Sequence, residues 1–187
     1  MSIQKKINIA VIGATGYTGL DLVLILSRHP KVKIKYLCAT KNLGKNINYF
    51  DKRIKKKLPK ISSTKNINWK DLDLVFLSLP NGEAQKIIKK NFYKNKNLKF
   101  IDLSADFRIT NSNTYEKVYK LKHKARDLLL KSLYSLPEFS RKEIKKFREL
   151  NHDYSFILFS DEERDEYMKN SWGDRKIYDL YKNSVFQ

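Results

Sequence analysis

Gly13-Ala14-Thr15-Gly16-Tyr17-Thr18-Gly19 is the segment of this 187-residue chain whose residue types and spacing carry the clearest chemistry. Glycine recurs at every third position between an apolar run and a helical pattern, a turn on which the pyrophosphate of a dinucleotide can rest. Gly13 permits the sharp turn. Gly16 lets backbone approach phosphate with no Cβ in the way, and Gly19 lets the helix pack closely on the strand. Thr15, Tyr17 and Thr18 fill the turn, and the helix that follows offers unpaired N–H groups and positive dipole to the phosphates. A glycine turn serving structure alone is the competing reading. The choice of dinucleotide falls to the end of the second strand, where an Asp or Glu would take the ribose hydroxyls of NAD. That position reads Cys38-Ala39-Thr40-Lys41, with Lys45 close behind. A hydroxyl and an ammonium suit a 2′-phosphate, so Thr40 and Lys41 favour NADP.

Further candidates lie downstream. Ser104-Ala105-Asp106-Phe107-Arg108 leaves the carboxyl end of a predicted strand, where open α/β sheets place ligands. Arg108 offers a planar fork suited to phosphate, unless it forms a surface pair with Asp106 that merely orders the loop. Pro80 and Asn81, in Leu79-Pro80-Asn81-Gly82, are candidates for lining a cofactor cleft, or else plain turn formers. Cys38, the single cysteine, reads as a small buried hydrophobe, and one cysteine builds neither a disulfide framework nor a zinc cluster. His29, His123 and His152 show no partner pattern that marks a catalytic base; His29, before Pro30, ends a helix. The acids Asp161, Glu162, Glu163, Asp165 and Glu166 read as a solvated helix start, and no metal site is expected.

The elements that must position these residues follow from periodicity. Ile7–Ile12 is a short apolar run expected to form a strand buried on both faces. Tyr17–Arg28 has helical spacing, Val32–Leu37 alternates apolar residues with lysine, Leu72–Leu79 is a third apolar run, Glu83–Asn91 a helix and Leu98–Leu103 a fourth strand. Strand, helix, strand in succession predicts βαβ units and a doubly wound, mostly parallel sheet of Rossmann-like α/β class. Tyr154–Phe159 reads as a further strand, with helices expected over 161–170 and 175–183.

Charge divides the chain. The formal net charge is +19, with 31 lysines against eight arginines. Residues 1–146 carry a net +22 and residues 147–187 a net −3, while aromatics number 14 in the first stretch and nine in the much shorter second. Both shifts place a junction near Lys146. The first part then reads as a nucleotide-binding domain (1–146), and the second (147–187) as an unassigned tail forming a short additional α/β segment. Lysines scattered with Asn and Ile describe solvated faces better than an arginine-based nucleic-acid surface, so no specific nucleic-acid partner is expected. No apolar run approaches the ~20 residues of a membrane span. Nor does a small-residue cleavage site follow the basic start, so a cytoplasmic protein is expected.

Four segments together carry a family resemblance: Gly13–Gly19 (GATGYTG), Leu77–Ala84 (LSLPNGEA), Ile101–Arg108 (IDLSADFR) and Tyr134–Glu138 (YSLPE). Over residues 5–146 the chain resembles the nucleotide-binding half of N-acetyl-γ-glutamyl-phosphate reductase of arginine biosynthesis and its close lysine-pathway relatives. The resemblance implies NADPH-dependent reduction of an acyl phosphate to a semialdehyde, through a thioester on a cysteine. It also implies that Arg108, with Ser104 beside it, holds the substrate phosphate. The family's nucleophile lies in a Gly-Cys-Tyr-Pro-Thr motif soon after the position of Lys146. This chain instead runs Phe147-Arg148-Glu149-Leu150-Asn151, so no catalytic residue is assigned and the chain is expected to be inactive alone. The family's homo-oligomer is doubtful for the same reason.

Overall fold

Alternation along the strands gives the sheet two packed faces, and these fix where the helices go. The computed structural model describes residues 6–135, the helical positions Lys142, Ile144 and Lys146, and the backbone of one strand, Phe156–Phe159. In β1 (Ile7–Ile12), Ile9 and Val11 face one core while Ala10 and Ile12 face the other, all four essentially inaccessible. β2 (Val32–Cys38) divides likewise, Leu37 to the first core and Cys38 to the second. Helix α1 (Tyr17–Arg28) lays Val23 and Leu26 on the first core. Helix α2 (Glu83–Phe92) brings Ala84, Ile88 and Phe92 to the second, with Phe107, Leu128 and Leu129. Each fully buried aliphatic of this kind contributes about 2 kcal/mol. Helices on opposite faces make the sheet doubly wound, as the sequence predicts.

The remaining strands are β3 (Ile61–Ser62), β4 (Leu74–Leu77), β5 (Lys99–Asp102), β6 (Ser132–Ser135) and β7 (Phe156–Phe159), in the order β3-β2-β1-β4-β5-β7-β6. Every pairing between them is parallel. β4 is shorter than the apolar run Leu72–Leu79 because Leu72 closes a 3-10 turn over Trp69–Asp71 and the chain leaves the ladder before Pro80. Helix α3 (Ser112–Tyr119) was not expected; Asn111 starts it by accepting from the N–H groups of Asn113 and Thr114 at 2.9 and 3.0 Å.

β7 comes from beyond the junction placed at Lys146. It inserts between β5 and β6, with Ile157 opposite Ile101 on one side and Leu133 on the other. The expected strand over Tyr154–Phe159 is therefore found, as Phe156–Phe159, within the main sheet. The helices expected over 161–170 and 175–183, the acidic cluster Asp161–Glu166 and His152 lie outside the described residues. Among the described residues no helix is long and apolar enough to cross a membrane.

Candidate nucleotide-binding site

Sheet order reverses between β1 and β4: β1 leads through β2 to β3, and β4 leads away through β5. At such a point the connections diverge to opposite faces and leave a crevice at the carboxyl ends of the strands. The loop after β1 is the Gly13 turn and the loop after β4 is the Pro80 turn, so the two meet there. Gly13 has φ +86° and packs so closely that a Cβ would lie 1.8 Å from the Ser78 carbonyl oxygen. Its N–H and that of Ala14 donate to the Cys38 carbonyl at 2.9 and 3.0 Å, tying the turn to the end of β2. A Cβ on Gly19 would lie 2.1 Å from the Gly13 carbonyl oxygen. The fold itself demands both of these glycines.

Gly16 is different. Its φ of −76° suits any residue, and a Cβ there would meet only the Gly13 carbonyl oxygen, at an ordinary 3.5 Å. No side chain caps α1 at Gly16, and no acidic residue stands in its first turn. An open helix start with no anion of its own fits a phosphate. Tyr17 and Thr18 are exposed on the rim, Tyr17 at 94%, and Thr15 is half-buried inside the turn.

Thr40 and Lys41 follow β2 on the same edge and are exposed, while the Lys45 ammonium lies over the Tyr49 ring at 4.7 Å. Cys38 is fully buried with its sulfur 3.8 Å from Ser62 Oγ; burial pushes the thiol up, as befits an unreactive hydrophobe. Pro80 and Asn81 are exposed in the turn that leads to Gly82, the left-handed residue (φ +85°) at the start of α2.

Beyond β5 the loop is built from the inside. Asp102 is buried, and the Ser104 N–H and hydroxyl donate to its two oxygens at 2.9 and 2.8 Å. Burial pushes Asp102 up to about 7, opposed by the Ser104 bonds and by Arg108, and aided by Asp106. The Ser104 hydroxyl also accepts the Asp106 N–H at 3.2 Å. Arg108 is half-buried two residues further on. Asp106 is no surface residue: it is fully buried, so the alternative of an exposed Asp106–Arg108 pair does not hold. Its carboxylate receives Gly82, Gln85 and Tyr115 instead.

His123 is a satisfied histidine. Its Nδ1 accepts from the Ala125 N–H at 3.2 Å, so Nε2 carries the proton toward the Asp106 carbonyl at 2.8 Å. Burial lowers its pKa. His29 accepts from the Lys31 N–H at 3.2 Å at the end of α1. Sequence reasoning missed Asp102, Gln85 and Tyr115 as the buried groups that brace these loops from behind. Only the carboxylate inside the apolar run Ile101-Asp102-Leu103 gave a signal.

With this geometry in place, residues 8–147 match the family described as semialdehyde dehydrogenase, NAD binding domain. The chain belongs to that family. This semialdehyde dehydrogenase NAD-binding domain is 43% identical over 145 residues to an N-acetyl-gamma-glutamyl-phosphate reductase of Ehrlichia ruminantium (strain Gardel), covering 76% of this chain and 41% of that protein. It is 41% identical over 141 residues to the reductase of Campylobacter jejuni (strain RM1221), covering 75% and 40%. The chain thus spans about two fifths of the length of these curated relatives. Among solved structures, aspartate semialdehyde dehydrogenase II of Vibrio cholerae superposes with a TM-score of 0.56 at 18% identity, over 82% of this chain and 42% of that one. Aspartate semialdehyde dehydrogenase with NADP from Candida albicans gives 0.52 at 18%, over 83% and 43%. At such identities the likeness concerns the fold, and it agrees with the Rossmann-like class read from the sequence.

Proposed function

We propose that this domain binds NADP(H) in the crevice between β1 and β4, as the nucleotide-binding half of a reductase acting on N-acetyl-γ-glutamyl phosphate. Gly16 carries the reading: nothing in the packing of the described residues calls for glycine there, whereas a pyrophosphate seated on the start of α1 does. Gly13, Thr15, Gly16, Tyr17, Thr18 and Gly19 cradle the phosphates, and Thr40 with Lys41 receives the 2′-phosphate. Pro80 and Asn81 line the nicotinamide side. The Arg108 fork holds the acyl phosphate, and Ser104, whose hydroxyl already bonds Asp102 and Asp106, shapes that loop. When bound, the cofactor supplies hydride. A biosynthetic role of this kind places the protein in the cytoplasm.

Thioester formation needs a thiolate, and the single cysteine is buried at the end of β2 with its proton held on. We therefore assign no nucleophile, and the domain binds nucleotide without completing the reduction by itself. The same buried cysteine favours, as a second reading, a catalytically silent NADP-binding or partner-binding module. Residues 1–146 form the binding unit on this view, and residues 147–187 a segment of separate character that lends the sheet one strand.

Fluorescence titration with NADPH and NADH tests the reading. Saturable binding, tighter for NADPH, supports it; no binding below the millimolar range overturns it.

A further inference from the structure

Gly82 must be left-handed to turn the chain from β4 into α2, and a glycine has no side chain with which to cap the helix it starts. The missing cap comes from another loop. The Asp106 carboxylate, fully buried, accepts the Gly82 N–H at 2.6 Å on Oδ1 and the Gln85 N–H at 3.2 Å on Oδ2. Gln85 Nε2 at 3.1 Å and the Tyr115 hydroxyl at 2.8 Å add two more donors to Oδ1. Behind it, the Asp106 N–H bonds Ser104 and the carbonyl takes His123 Nε2. One residue thus joins the turn after β4, the loop after β5 and α3.

We propose that Asp106 is a positioning residue: it locks the Pro80–Gly82 turn and the Arg108 loop into one arrangement, and so sets nucleotide affinity while touching neither ligand. The assignment of those two loops to ligands rests on the nucleotide-binding reading above. A helix start can be capped locally by Ser, Thr, Asn or Asp. Here the cap is drawn from 24 residues away, two positions before Arg108, at the cost of a buried carboxylate. Such a link makes the two loops open together or not at all.

Asp106→Asn tests this, because the amide turns an acceptor into a donor and leaves either the Gly82 or the Gln85 N–H facing another N–H. In the full chain the variant is expected to keep a cooperative melt and bind NADPH about tenfold more weakly, the effect of one orphaned buried donor. In hydrogen exchange, amides 82–85 and 104–108 lose protection together while those of β1 do not. Tyr115→Phe removes one donor but leaves both backbone bonds; its expected signature is a lower melting temperature with NADPH affinity unchanged. Wild-type affinity in Asp106→Asn, or loss of protection in one loop alone, overturns the proposal. If Asp106→Asn does not fold, native-state exchange on the wild type decides, since the two loops must then share one opening free energy. A wild-type chain that binds no NADPH sinks only the nucleotide reading; the exchange arm still judges the link.

Discussion

Three glycines in one turn answer to different forces, and substitution separates them. Gly13→Ala sets a Cβ 1.8 Å from backbone at a φ of +86°, so the expected result is a chain that fails to fold or melts far below the wild type. Gly16→Ala meets nothing closer than 3.5 Å; thermal unfolding should stay near wild type while NADPH titration shows affinity down tenfold or more. Asp102 gives a second residue-scale expectation. Its carboxyl is raised to about 7 from 3.8, so the folded state holds a proton that the unfolded chain releases. That stabilises the fold below about 4 and is lost as pH rises through about 7. His123 has the opposite sign: kept neutral by burial, it costs stability as pH falls below its ordinary 6.5. Melting temperature followed against pH should therefore carry a component that falls as pH rises from about 4 to about 7, opposed by His123 below 6.5, and Asp102→Asn should remove the falling component alone.

At the scale of elements, β7 is an interior strand whose loss the sheet should register. It is flanked on both sides by parallel partners, so Ile157→Pro deletes a ladder bond and clashes inside the sheet rather than at an edge. Circular dichroism should show a melting temperature lower by several degrees or a lost transition, whereas a tail independent of the sheet would leave melting unchanged. Helix α1 and strand β1 were legible with both boundaries correct, because Gly13, Gly16 and Pro30 punctuate them and their apolar spacing is unambiguous. Helix α3 was not legible. Its sequence, SNTYEKVY, buries Tyr115 alone, and one buried side chain makes no periodic pattern.

For the whole molecule, the proposed nucleotide reading predicts binding without turnover. Purified chain mixed with NADPH and N-acetyl-γ-glutamyl phosphate should show no loss of NADPH absorbance, although the same preparation binds the nucleotide. Turnover above the uncatalysed rate would mean that some group other than Cys38 serves as nucleophile.

The amino-acid sequence by itself determined the alternation of strands and helices, the glycine turn, the lack of a carboxylate at the end of β2 and the family. Each of these is a short-range pattern of residue type, written in consecutive positions. The tertiary structure alone decided that Asp106 is buried and caps α2 from 24 residues away, and that Phe156–Phe159 joins the main sheet. It also separated Gly16 from its two neighbours. These depend on which segments are brought together across the chain, and a hydrogen bond or a steric gap between distant loops leaves no period in the sequence.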